Sequence, residues 1–260
     1  MFSMIFVFFG ILIKSPKNNL YMIYISGILE LFRFLIGLGV LLYASYTDIK
    51  TRRAPNILWI IMVSSGLIIL LLQYLTYGFG LQTMYLVFIP IMIGLMYMFF
   101  QLHIIFGGAD AKALMSLAIL IPFWPNNLFK PPWVSPLPFS WVVFSNSIVL
   151  FLIIPLSLLI YNFYKGDRVF PHCLLGYKMD IEKAKNSFVW PLEKIVDGKI
   201  KLRYTSHISG PTEDWEVFEH HGIKNIWVTP KIPFMIPLLL GFIFSFLIGD
   251  ILYFLTHLFL

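Results

Sequence analysis

Apolar residues follow one another in long uninterrupted blocks along this chain. Runs of about 20 apolar residues recur, and each is long enough to cross a hydrocarbon core as a helix. Polar residues do not alternate with apolar ones inside the runs, which disfavours an outer-membrane barrel. The pattern therefore predicts an all-α polytopic membrane protein with about six transmembrane helices. It also predicts a small polar domain before the last helix.

The blocks divide the chain into four expected regions. These are an N-terminal extension or extra short helix over 1–30, a membrane core with five helices over 31–163, a cytoplasmic domain over 164–231 and a C-terminal transmembrane helix over 232–260. The expected spans are roughly Leu31–Tyr46, Ile57–Leu75, Leu81–Ile105, Ala111–Phe123, Phe139–Phe163 and Ile232–Leu258. Pro155 predicts a kink in the fifth span. The polar domain has short apolar runs that favour strands and turns.

Composition agrees with a membrane setting. The chain is 59% hydrophobic and 12% charged, and its mean hydropathy of +0.83 is beyond that of soluble proteins. Its net charge of +6 would suggest a nucleic-acid partner in a soluble protein. Here it fits the excess of Lys and Arg on the cytoplasmic side of membrane proteins, so we expect a lipid membrane and no nucleic acid.

The distribution of positive charge predicts the orientation. Fifteen of the 19 Lys and Arg residues lie in the connector after the first span, the turn at Asp110 or the polar region. Alternation of the spans puts these three places on one side of the membrane, which is then the cytoplasmic side.

Polar residues outside these segments suggest little chemistry. Cys173 is the only cysteine, so neither a disulfide framework nor a Cys-rich zinc site is expected. His172, His207, His220 and His221 match no metal-ligand spacing, and we expect no metal or other cofactor. Glu30 and Arg33, three residues apart, can pair on one helical face.

Two aspartates carry the candidate chemistry. Acidic residues close to a membrane are scarce and costly, so each one is informative. Asp48 ends one expected helix and Asp110 starts another at the same face. Two neighbouring carboxylates share one proton. The ionised member can then take a proton from water while the protonated member polarises a carbonyl, as in aspartic proteolysis. Taken singly, each is more often a helix cap or a loop residue.

The residues around Asp110 suit this chemistry. Gly107 and Gly108 remove side chains, which permits unusual backbone angles and the close approach of an extended peptide. Asp110 is expected at or near the N-cap of the fourth helix, where free N–H groups favour a carboxylate. Lys112 is near enough to bias the pair or to contact lipid headgroups.

Two motifs resemble those of a known family. The stretch from Asp48 to Asn56 resembles the D-x6-P-N motif of the type IV prepilin peptidases, and Gly107 to Lys112 resembles their G-x-G-D-x-K motif. Ala109 stands at the third motif position in place of glycine, which argues against a positive φ there. The six-span layout and the stretch Trp227 to Pro233 look most like the archaeal preflagellin and prepilin peptidases.

The resemblance implies a membrane aspartyl peptidase with Asp48 and Asp110 as its catalytic residues. Gly107, Gly108, Ala109 and Lys112 would form the surrounding active-site loop. The implied substrate is an archaellin or type IV pilin-like precursor, whose short basic leader is cut at the cytoplasmic face. Bacterial members of the family often have a Cys-rich zinc segment and a methyltransferase activity. Because this chain has one cysteine, we expect neither of them here.

Two alternative functions have less support from the sequence. Presenilin-like intramembrane cleavage lacks its Tyr-Asp and Pro-Ala-Leu motifs here, since Thr47 precedes Asp48. An ion- or proton-coupled transporter could use the carboxylates as a relay, although such residues usually lie near the midplane on repeated, broken helices.

Overall fold

The protein is described by a computed structural model that covers residues 18–78, 81–102, 107–196, 199–202 and 213–259. Two compact units divide the chain. The first comprises Met1–Leu150 and Pro233–Leu260, and the second comprises Phe151–Ile232. Residues 1–17, which make up most of the expected N-terminal extension, lie outside the described residues.

Helices form most of the described structure. In chain order they are α1 Asn18–Thr51, α2 Ile57–Tyr77, a 3₁₀ helix Leu81–Val87, α3 Phe88–Gln101, α4 Gly108–Leu120, α5 Phe139–Phe151, α6 Ile153–Lys165, α7 His172–Leu175, α8 Ile181–Lys185, α9 Glu213–His220, α10 Met235–Leu247 and α11 Ile251–Phe259. The expected fifth span is interrupted at Leu152, between α5 and α6. Pro155 follows the interruption, and it lacks the N–H that a continuous helix would need there.

Four helical segments in the described part of the chain are long and apolar enough to cross a membrane. They are Tyr24–Thr51, Ile57–Thr76, Thr83–Gln101 and Phe139–Lys165. The expected number of six is therefore met only in part. Helices α4 and α10 are apolar but have 13 residues each, fewer than a bilayer core requires.

The last expected span is divided into two helices. Gly249 has a φ of +96°, a left-handed conformation that ends the run of α10. The carboxylate of Asp250 then accepts the N–H groups of Leu252 and Tyr253, at 3.0 and 3.1 Å, and so caps α11. A helix of nine residues therefore follows the break.

The second unit contains the strands, in the polar region whose short apolar runs favoured strands and turns. Its strands are β1 Tyr177–Asp180, β2 Val189–Pro191, β3 Glu193–Val196, β4 Lys199–Leu202 and β5 Asn225–Pro230. Strands β1, β5 and β2 form an antiparallel sheet in that order, with Tyr177 opposite Val228 and Trp190 opposite Thr229. Strands β3 and β4 form a separate antiparallel pair. Short helices accompany them, so this region is mixed α/β.

Helix α4 is the central helix of the first unit. It packs against α2 and α3 and also contacts α1. Its buried residues cover the helix on nearly every side, namely Ala111, Ala113, Leu114, Ser116, Leu117, Ala118 and Leu120. Such an all-round apolar surface is expected of a helix enclosed by its neighbours. Gly66 of α2 permits one close approach, because a Cβ there would lie 2.7 Å from the Cα of Leu120.

Glu30 and Arg33 are both buried in α1. The Glu30 carboxylate accepts the backbone N–H groups of Asn126, Asn127 and Leu128 at 2.8 to 3.1 Å. Arg33 donates to the Gln73 amide at 2.9 Å. The hydrogen bonds of these two side chains therefore fix the loop after α4 and join α1 to α2.

Candidate active site

Asp48 lies in the last turn of α1, which extends to Thr51. Asp48 thus lies at the end of the first helix, as predicted, whereas the expected polar connector from Thr47 to Asn56 is helical over its first five residues. Arg52 ends the helix with a φ of +56° and donates its N–H to the Asp48 carbonyl at 2.9 Å. The backbone N–H of Met235, the first residue of α10, lies close to the Asp48 carboxylate.

Asp110 is the third residue of α4, after the N-cap residue Gly107. The prediction that it lies at or near the N-cap is confirmed. It precedes the apolar part of α4 and is outside the four candidate membrane segments. Burial raises its pKa from 3.8 to about 7, and the nearby Asp48 carboxylate contributes in the same direction. The structure thus places the two predicted carboxylates close enough for the charge of Asp48 to raise the pKa of Asp110.

Gly107 provides space for the Asp110 side chain. A Cβ at Gly107 would overlap the Asp110 carboxylate, whereas a Cβ at Gly108 would lie 3.4 Å from the Phe100 ring, an ordinary contact. The unusual backbone angles that glycine permits are not adopted here, because Gly107 has φ −90° and ψ 111° and Gly108 is helical. Ala109 is likewise helical, as its replacement of glycine predicted.

Lys112 connects the two sequence motifs. Its Nζ donates to the Oδ1 of Asn56 at 2.9 Å. Asn56 immediately precedes α2 and belongs to the same motif as Asp48. The contact therefore joins the start of α2 to the first turns of α4, beside the two aspartates.

The sequence reasoning missed Ser45 and the start of α10. The Ser45 hydroxyl donates to the Met235 carbonyl at 3.0 Å, and both residues are buried. Ser45 lies three residues before Asp48 on α1, so both face the same side of the helix. A hydroxyl inside an apolar run was the available signal, but its partner is 190 residues away.

Metal ligands do not converge in the part of the chain that the structure describes. No three His, Cys, Asp or Glu side chains come together there in a metal-binding group. His207 lies outside the described residues. Cys173 is buried in the second unit and forms no disulfide.

Two protein-family models together match most of the chain. Residues 35–162 match the type IV leader peptidase family, and residues 169–251 match the archaeal peptidase A24 C-terminus type II family. Both aspartates and both sequence motifs fall within the first match.

Curated relatives agree with these matches. The preflagellin peptidase of Methanococcus voltae is 29% identical over 84% of this chain and 95% of its own length. The preflagellin peptidases of Methanocaldococcus jannaschii and Methanococcus maripaludis are each 27% identical over 84% of this chain, covering 94% and 95% of their own lengths. The chain therefore belongs to the type IV leader peptidase family, and is an archaeal aspartic peptidase similar to the preflagellin peptidases.

Proposed function

We propose that the protein removes the short basic leader of archaellin or type IV pilin-like precursors, with Asp48 and Asp110 as its catalytic carboxylates. The observation that supports this proposal is the closeness of the two aspartates: Asp110 is half-buried, and burial together with the charge of Asp48 raises its pKa to about 7. Such a pair supplies a base and an acid together near neutral pH.

The reaction uses one proton transfer from each carboxylate. Ionised Asp48 takes a proton from water as the water oxygen bonds to the scissile carbonyl carbon. Protonated Asp110 gives its proton to the carbonyl oxygen. The tetrahedral intermediate then breaks its C–N bond, and the proton held by Asp48 passes to the leaving amine. As the C–N bond breaks, one hydroxyl group of the intermediate gives its proton to Asp110, so both aspartates return to their starting states.

The position of the pair suits a membrane-inserted precursor. Asp48 is in the last turn of a membrane-spanning segment, and Asp110 starts a helix at the same place. A peptide bond just outside the hydrophobic segment of a precursor would lie at this depth. The excess of Lys and Arg around these turns supports the cytoplasmic face. The names of the relatives support preflagellin as the first substrate to try.

The test is cleavage of a purified archaellin precursor, and separately a pilin-like precursor, in detergent without any ion gradient. Asp48→Asn and Asp110→Asn should each abolish the mobility shift, because each removes one proton transfer. Asp180→Asn is the matched control: Asp180 caps α8 in the second unit, and asparagine caps equally well.

Normal cleavage by either catalytic variant would remove that aspartate from the mechanism. A coupled transporter would leave both precursors uncut in this gradient-free assay.

A further inference from the structure

The hairpin of β3 and β4 has one face that consists of lysines. Lys194 lies directly opposite Lys201 in the register of the two strands, so both side chains project from the same face. Lys199 is two residues before Lys201 on β4 and shares that face. All three are exposed, and among the described residues no carboxylate lies within 4 Å of their ammonium groups. We call these three residues the lysine face.

The opposite face of the hairpin is fixed to the rest of the second unit. Ile195 packs against the larger buried cluster of that unit. The Glu193 carboxylate accepts the backbone N–H of Trp227, on β5, at 3.1 Å. Leu202 packs against a second, smaller buried cluster. Because these contacts are all made by the other face, the lysine face is left free to bind a partner.

The smaller cluster places the base of the hairpin beside a membrane helix. Its buried members are Cys173, Leu192 and Trp227, and both Leu202 and Leu159 of α6 pack against it. Leu159 lies six residues before Lys165, the end of a candidate membrane segment of 27 residues. Such a segment is about 40 Å long, which spans the hydrocarbon core and its headgroup layers. Lys201, next to Leu202, is therefore held near the headgroups.

Hydrogen bonds fix α6 to the same cluster. Asn162 of α6 is fully buried, and its amide donates to the carbonyls of Cys173 and Gly176 at 2.8 and 2.6 Å. Cys173 belongs to the cluster that Leu202 contacts. Moving the hairpin away from the membrane helix would therefore break buried contacts.

We propose that the lysine face binds anionic lipid headgroups at the adjoining membrane surface. Like charges directly opposite each other destabilise a pair of strands, and Lys194 and Lys201 have that arrangement. An anionic surface removes the repulsion and attracts each lysine. Between these two lysines the sequence has one acidic residue, Asp197, outside the described residues, so positive charge remains in excess. The basic leader of the proposed substrate would be repelled here, so the lysine face is not its site.

The test is hydrogen exchange of the hairpin amides in the full-length protein. The protein is reconstituted in phosphatidylcholine bilayers with and without phosphatidylglycerol. A two-stranded hairpin opens locally, so its exchange rate reports how strongly it is stabilised. Phosphatidylglycerol should slow exchange at least about fivefold, which corresponds to the attraction of one lysine for an anionic membrane. High salt should remove the effect, because it screens exposed charges.

Lys194→Gln/Lys201→Gln should lose the slowing that phosphatidylglycerol causes. In pure phosphatidylcholine the same variant should exchange no faster than the wild type, because it removes a repulsion. Lys183→Gln/Lys224→Gln is the matched control. It removes two exposed lysines of the same unit from outside the hairpin and should keep the slowing.

Equal exchange of the wild type in both bilayers, or an equal loss in both double variants, would overturn the proposal. Faster exchange of Lys194→Gln/Lys201→Gln in both bilayers would also overturn it, because the lysines would then only stabilise the fold. Slowing by soluble polyglutamate but not by phosphatidylglycerol would overturn it in favour of an acidic protein segment.

Discussion

Replacing Gly107 by alanine tests whether the Asp110 carboxylate needs its present position. A Cβ at Gly107 would overlap the carboxylate and lie 2.8 Å from its Cγ atom. Carbon atoms in ordinary contact are about 3.5–4.0 Å apart, so the carboxyl group must move by roughly 1 Å. The backbone at Gly107 is extended and accepts any residue. The substitution therefore displaces a flexible side chain and leaves the fold intact.

The expected effect on cleavage is large because geometry at the reacting centre is strict. A misplacement of about 1 Å can cost about 100-fold in rate. Gly107→Ala should therefore lower kcat/KM for precursor cleavage by about two orders of magnitude. Its thermal unfolding midpoint should stay close to that of the wild type.

Gly108→Ala is the matched control, since its added Cβ meets only an ordinary contact with Phe100. It introduces the same methyl group one residue along and should cleave within about threefold of the wild type, because an ordinary contact costs little. Wild-type cleavage by Gly107→Ala would refute the requirement for this carboxylate position. Equal losses in both variants would show a general intolerance of the segment instead.

Two further predictions concern proton binding and helix packing. The pKa of Asp110 is raised from 3.8 to about 7, so the folded protein is most stable when Asp110 is protonated. The thermal unfolding midpoint should therefore fall as the pH rises from about 4 to about 7. The Asp110→Asn variant should lose that part of the pH dependence. Cleavage should decline above about pH 7, because Asp110 then loses the proton that it donates. A flat stability profile, identical in the wild type and in Asp110→Asn, would contradict the raised pKa of Asp110. Gly66→Ala should destabilise the protein by about 1–3 kcal/mol, because its Cβ meets the α4 backbone at Leu120. Gly39→Ala, with open space around its Cβ, should not, and equal unfolding midpoints would refute this packing argument.

The sequence by itself was sufficient to predict the features that depend on neighbouring residues, namely the apolar helices, the start of the helix at Asp110 and the two short motifs. Long apolar runs predicted the long membrane helices, because a helix that crosses lipid must be apolar over its whole length. The glycines before Asp110 marked the start of a helix. Two short motifs, Asp48 to Asn56 and Gly107 to Lys112, were sufficient to indicate the family and its two aspartates. Each of these signals is contained within about ten to twenty neighbouring residues.

Contacts between distant segments were decided by the tertiary structure. The pattern could place Asp48 and Asp110 on one face, but only packing of α1 against α4 couples their charges and half-buries Asp110. Gly107 has ordinary backbone angles, and its lack of a side chain makes room for the Asp110 carboxylate. Ser45 gave no clear signal, because its partner Met235 follows 190 residues later. A hydrogen bond across such a separation leaves no periodic trace, so sequence determined the helices and packing determined the chemistry between them.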